Sequence, residues 1–309
     1  SPWWKSAAAN ISELGSWNFQ YLFFGAGTWH FIFDVHMLYY IIAIPIFASN
    51  WRCLMDRVIF QNNPLIEVIL QFRFPTILSI NSNEPVDFQE AIRKAFPIYQ
   101  VGTENSQEIQ LVASDDTFLP SIVNKQQNKN YAFITANGKF KVNLTSSFIS
   151  FSTVDYTRWE EFWGIFENAL TSFIRIYQPA FFERIGLRYI DAISKVALHL
   201  ENKTWKELIK ESWLGPLAIY NDSNVPVTST DSEFFVDDKG TRLKIHTGLG
   251  SINNSNETVF IVDTDFIHIG NISIESYSTI LTLLHDHSKF FIEHVISDEL
   301  YAAMEPRKI

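Results

Sequence analysis

With 309 residues, 47% of them apolar and 19% charged, the chain has globular composition and room for one or two domains, which excludes a largely disordered polypeptide. A formal net charge of −10 argues against general nucleic-acid binding, because counterion release needs a basic surface. The single cysteine, Cys53, excludes an intramolecular disulfide and a cysteine-based metal site; it fits a reducing compartment, and the expected location is cytoplasmic.

The first 54 residues differ from the rest. Between Ser6 and Asn50 there is no Lys or Arg, and Glu13 and Asp34 are the only acidic residues in a stretch crowded with Trp, Phe and Tyr. A spanning helix needs about 20 apolar residues, whereas the densest run, Met37 to Ala48, is shorter and interrupted by Pro45. A signal peptide needs a basic region against a clean apolar core and a small-residue cleavage site, and neither is evident. The preferred reading is an upstream extension or leader outside the fold, with the domain starting near Met55. On that reading residues 55–180 and 181–309 form two α+β halves packed as one domain.

Ile66 to Phe74 reads as a strand stopped by Pro75. Asp87 is expected to cap a helix carrying Phe88, Ala91, Ile92, Ala95 and Phe96, with Glu90 completing the cap and Pro97 closing it. Ile109 to Ala113 is a candidate strand, and the polar stretch Ser114 to Asn130 reads as a surface loop. Asn137-Gly138, between Tyr131–Thr135 and Phe140–Thr153, is a strong hairpin signal. Thr157 and Glu160 form a capping-box pattern before a stripe of Trp159, Phe162, Trp163, Phe166, Leu170, Phe173, Ile174 and Tyr177, which reads as a core-facing helix rather than a cofactor box.

The pattern then restarts. Phe182 to Ser194 reads as a strand, Thr204 and Glu207 as a second capping box, and Asn221 to Ser232 as a polar loop. Glu233–Val236 and Arg242–Gly248 read as a hairpin, Thr258 to Ile269 as a strand, and Tyr277 to Val295 as a long helix, followed by a turn capped by Ser297. The expected fold is α+β: mainly antiparallel sheet, with long helices on one face. The repeated order of strand, helix, hairpin and helix suggests two duplicated halves.

Several segments in this order resemble one family: Pro64-Leu65-Ile66-Glu67-Val68, Arg184-Ile185-Gly186-Leu187-Arg188-Tyr189-Ile190, Val262-Asp263-Thr264-Asp265, and Leu284-His285 followed by Phe291 and Ile296 to Glu299. Over residues 55–309 the chain resembles a sporadically distributed family of uncharacterised bacterial and archaeal proteins of about 250 residues, the size of one large domain. The resemblance implies no activity, cofactor or catalytic set. It implies Asn at position 191, where this chain has Asp191.

Four charged residues form the candidate binding set. Asp263 and Asp265 are two apart on a presumed strand, so both project from one face, where they could hold a hard divalent metal or lie solvated at an edge. Arg184 and Arg188 also share a face, with Asp191 on the other; they could clamp a phosphate, or pair with Asp263 and Asp265 in a structural ion network, which is the favoured reading. His285, His287 and His294 fall on two flanks of their helix, and His246 and His268 lie on strands without a ligand motif, so zinc is not expected. Gly248-Leu249-Gly250 lacks the rest of a dinucleotide fingerprint and reads as a turn.

No catalytic residue, resident metal or cofactor is assigned. The expected function is a binding or regulatory module meeting a macromolecule, most simply a protein, in a mobile or defence-type gene neighbourhood. The alternative is a metal- or anion-dependent enzyme acting on a phosphate-containing ligand, with a structural subunit of a larger assembly as a third possibility. No membrane partner is expected unless residues 1–54 are native.

Overall fold

Burial alternates along Val68–Arg73, and that alternation builds the centre of the sheet: Val68, Leu70 and Phe72 are fully buried, Ile69 and Gln71 are partly buried, and Arg73 is exposed. The structure, a computed structural model, describes residues 58–104, 107–114, 117–124, 128–220, 227, 229–238, 240–251 and 257–308. The expectations for residues 1–54, including Cys53, fall outside the described residues.

In chain order the first half holds β1 (Val58–Phe60), β2 (Leu65–Arg73), α1 (Leu78–Ser82), α2 (Val86–Ile92), β3 (Ile98–Glu104), β4 (Gln107–Ser114), β5 (Thr117–Asn124), β6 (Asn128–Ile134), β7 (Phe140–Leu144), β8 (Phe148–Thr153) and α3 (Trp159–Tyr177). The second holds β9 (Phe182–Ile193), α4 (Trp205–Leu208), α5 (Glu211–Leu214), α6 (Leu217–Tyr220), β10 (Thr230–Asp238), β11 (Thr241–Gly250), β12 (Val259–Ile272), α7 (Tyr277–Val295), α8 (Asp298–Ala303) and β13 (Pro306–Lys308).

The fold is α+β around one nine-stranded sheet in the order β10-β11-β12-β9-β2-β8-β7-β6-β3, with every neighbouring pair antiparallel. Strands β2 and β9 meet at the centre through pairs such as Leu70–Leu187 and Phe72–Ile185. Beyond β9 come β12, β11 and β10, and beyond β2 come β8, β7 and β6, each the third, second and first strands of a meander; β3 adds a fourth strand on the β2 side alone. Two small sheets complete the set, β4 with β5 and β1 with β13. Among the described residues no helix is long and apolar enough to cross a membrane.

One sheet face is covered by α3 and α7, each 19 residues long. Phe166, fully buried, lies against Phe96, Phe140, Phe151 and Phe162 at ring-centroid distances of 5.8, 5.9, 5.0 and 5.0 Å. Tyr277 of α7 packs on Phe72 and Phe182. The two helices meet where Trp159 stacks on His285 at 4.3 Å and Trp163 lies beside Tyr277. The aromatic stripe of α3 is therefore core.

Several expectations need correction. Asp87 does not cap its helix: Pro85 is the N-cap, and Asp87 lies in the first turn, where a carboxylate favours the helix dipole. That helix ends at Ile92 rather than running to Pro97. The Thr157–Glu160 capping box does not form, because Arg158 is the N-cap and Thr157 Oγ1 donates to Glu161 at 2.5 Å. The Thr204–Glu207 box does form, and Ser297 accepts from the Leu300 amide. The expected loop Ser114 to Asn130 contains β5 and the start of β6. Phe140–Thr153 is two strands, joined by a turn in which Thr145 Oγ1 accepts from the Ser147 and Phe148 amides. At the Asn137-Gly138 turn Gly138 has φ +74°, a left-handed conformation that favours glycine.

Two stability measurements test this architecture. Phe166→Ala should lower stability by about 3–5 kcal/mol in denaturant unfolding, as expected for a buried aromatic at the centre of a packed face. A loss below ~1 kcal/mol would contradict that placement. A chain beginning at Met55 should unfold cooperatively, since β1 and its pairing with β13 lie downstream of it; aggregation of that chain while the full one stays soluble would show that the fold needs residues 1–54.

Candidate functional site

The face of the sheet opposite the long helices carries the four residues singled out by sequence. Antiparallel register sets Asp265 beside Arg188 and Asp263 beside Ile190 on β12 and β9, and sets Arg188 beside Ile69 on β2. Even spacing places Arg184, Gly186, Arg188, Asp263 and Asp265 on this one face.

These charges neutralise one another. Arg188 donates from Nε and Nη2 to both oxygens of Asp263 at 2.7 and 2.5 Å, a two-pronged pairing. Arg184 donates from Nη2 to Asp265 at 2.6 Å and from Nη1 to Gln71 on β2 at 2.8 Å. The favoured sequence reading, an ion network across the sheet, matches this arrangement. Asp263 and Asp265 do not converge on a metal position, and among the described residues no group of three or more His, Cys, Asp or Glu could hold an ion.

Gly186 makes the reach of Arg184 possible. A Cβ at position 186 would stand 2.6 Å from the Arg184 guanidinium, which lies flat where that side chain would be. A glycine inside a strand often marks such a close approach. The sequence reading missed Gly186 and Gln71, although the strand-interior glycine was a visible signal.

Burial pulls against pairing here. It raises the Asp265 carboxyl above its ordinary value despite the nearby Arg184 and Arg188, and it lowers Arg184 against the pull of Asp265. For Arg188, which is more exposed, the hydrogen bonds to Asp263 dominate and raise it. The lattice continues outward through Lys244–Glu233 at 2.5 Å, His246–Asp231 at 2.6 Å and Arg242–Asp237 at 2.6 Å. Phe235 lies beneath both Arg242 and Lys244, with centroid distances of 5.6 and 5.7 Å.

The described histidines do not gather. His285 is buried against Trp159, with Tyr189 Oη 3.4 Å from its Nδ1. His246 pairs with Asp231, and His268 lies 3.4 Å from Thr241 Oγ1. His287 and His294 are partly buried on α7. The expected turn at Gly248-Leu249-Gly250 is instead the end of β11, where β10 approaches so closely that a side chain at position 248 would strike the Thr230 carbonyl.

Asp191 is the anomaly. It lies on the helix-covered side of β9, 6% exposed, between Leu65 and Val262 as cross-strand partners. Among the described residues no basic side chain pairs with it. Burial, with a smaller contribution from Asp263, pushes its carboxyl up to about 7.

The folded state thus favours the protonated acid. Stability from this group is full below the unfolded-state value of 3.8 and is lost as pH rises towards about 7. The loss is on the order of 4 kcal/mol over that window. Asp191→Asn, a neutral isostere, should raise the unfolding midpoint at pH 8 and leave it little changed at pH 4. An equal effect at both pH values would show that the carboxyl does not titrate as its burial requires.

The chain matches no protein-family model and no curated protein.

Proposed function

We propose that this chain is a binding or regulatory module, and that the charged face of its sheet meets a protein partner. The observation that supports this reading is the mutual pairing of Arg188 with Asp263 and of Arg184 with Asp265. A carboxylate that holds a metal or moves a proton needs its lone pairs directed at the ligand, and here they are committed to guanidinium groups. A fixed lattice of partly exposed charges is instead suited to recognition, where complementary charge sets orientation and specificity. A role in a mobile or defence-type system rests on the family resemblance, and the repeated strand order on either side of β2 and β9 supports two duplicated halves.

The alternative is a metal- or anion-dependent enzyme acting on a phosphate-containing ligand, and its metal-dependent form requires Asp263 and Asp265 to leave their arginines. Thermal unfolding during Mg²⁺ or Mn²⁺ titration separates the two readings, since a ligand bound only by the folded chain raises the midpoint. No rise is expected; a rise abolished by Asp263→Asn with Asp265→Asn would establish the metal site. For the partner, the exposed Arg242–Asp237 pair, whose neighbour on β12 is the uncharged Ile267, can be reversed as Arg242→Asp with Asp237→Arg, which keeps the ion pair but inverts its pattern. Recovery of the native partner from the source cells should then fall at least tenfold with the unfolding midpoint unchanged. Unaltered recovery would move the interaction off this face.

A further inference from the structure

Arg73 and Arg184 are direct cross-strand partners on β2 and β9. Like charges placed directly opposite repel. Arg184 turns back over Gly186 to reach Asp265 and Gln71, whereas Arg73 is exposed and meets no carboxylate among the described residues. The flanking partners, Phe148 beside Arg73 and Ile269 beside Arg184, are uncharged. Among the described residues, the cross-strand pairs and ion pairs at this end of the face therefore set two guanidinium groups against the carboxylate of Asp265. Glu67 lies on the same face of β2 near the opposite end, so the excess is local.

We propose that Arg73 and Arg184 form a subsite for a phosphoryl group carried by a protein partner. Arg184 is held in place by Asp265 and Gln71 through two of its five N–H donors, which leaves donors for an oxyanion. Arg73, exposed beside it on β2, closes on the same group and completes a two-arginine clamp. An anion between the two converts their repulsion into attraction. The position is shallow: Arg73 is exposed and Ile269 is 52% exposed. A small free anion would be enclosed on few sides there, whereas a phosphoryl group on a peptide gains contacts along the chain. This inference rests on the reading of the face as a binding surface and names the chemistry it recognises.

The test follows the thermal midpoint of the full chain with the peptide Gly-Gly-phosphoserine-Gly-Gly, its unphosphorylated form, and inorganic phosphate, all at matched ionic strength. The phosphopeptide should raise the midpoint by about 3 °C or more at tenfold its Kd. The unphosphorylated peptide should not. Arg73→Gln should abolish the rise, and Arg73→Lys should leave part of it, because the charge remains but the fork is lost. Without ligand, Arg73→Lys should keep the parent midpoint, and Arg73→Gln, which removes the repulsion with Arg184, should match or slightly exceed it. No rise with phosphopeptide, or a rise undiminished in Arg73→Gln, would overturn the proposal. An equal rise with inorganic phosphate would overturn the assignment to a protein-borne group. The Arg242–Asp237 reversal touches none of Arg73, Arg184, Asp265 and Gln71 and should leave the phosphopeptide response intact, so absence of that response while the reversal still abolishes partner recovery would sink this inference alone.

Discussion

Everything in this molecule hangs on the antiparallel register between β2 and β9. That pair joins the two halves into one sheet, and its alternation decides which residues face the helices and which face outward. Leu70 opposite Leu187 and Phe72 opposite Ile185 supply apolar floor for α3 and α7. The intervening positions put Gln71 beside Gly186 and Arg73 beside Arg184 on the other side. A slip of one residue would exchange the two sets, burying arginines under aromatic helices. The core and the charged lattice are thus two consequences of one register.

The charged lattice is not a large source of stability. Pairs as exposed as Lys244–Glu233 or Arg242–Asp237 gain little, because water and salt screen them and ordering two long side chains costs entropy. The Arg184–Asp265 pair is more enclosed, and there desolvation offsets much of the attraction, while removal of either partner would strand a charge. What such pairs supply is position. Arg188 is fixed by a two-pronged contact, and Arg184 is spread across three strands through Asp265 and Gln71. Side chains held in this way lose less entropy on meeting a partner.

The sequence was informative where local chemistry decides structure and silent where neighbours do. The stripe of α3, the Thr204–Glu207 capping box, the Ser297 cap and the Asn137-Gly138 turn depend on residues a few positions apart, and all are present. The segment Ser114 to Asn130 looked like a loop because its residues are polar, yet Thr117–Asn124 is a strand paired with Gln107–Ser114. Thr157 bonded Glu161 rather than serving Glu160, a competition between adjacent acids that spacing does not resolve. Parity along the strands placed Arg184, Arg188, Asp263 and Asp265 on common faces. The pairing of those faces, and the roles of Gln71, Arg73 and Gly186, needed the register between distant strands. Asp191 was visible as a departure from the resembled family, but its burial came only from the assembled sheet.

The same topology bears on how the chain assembles. Within each half most strand pairs join near neighbours in sequence, such as β6 with β7, β7 with β8 and β10 with β11. The β2–β9 contacts instead link residues about 120 positions apart, and β1–β13 about 250, separations whose loop-closure entropy slows formation. Each half can therefore gather its meander quickly and wait for the central seam. Until β2 and β9 meet, both present a bare edge rich in β-branched and aromatic residues. That interval, rather than the finished fold, is when this chain is most exposed to pairing with the wrong strand.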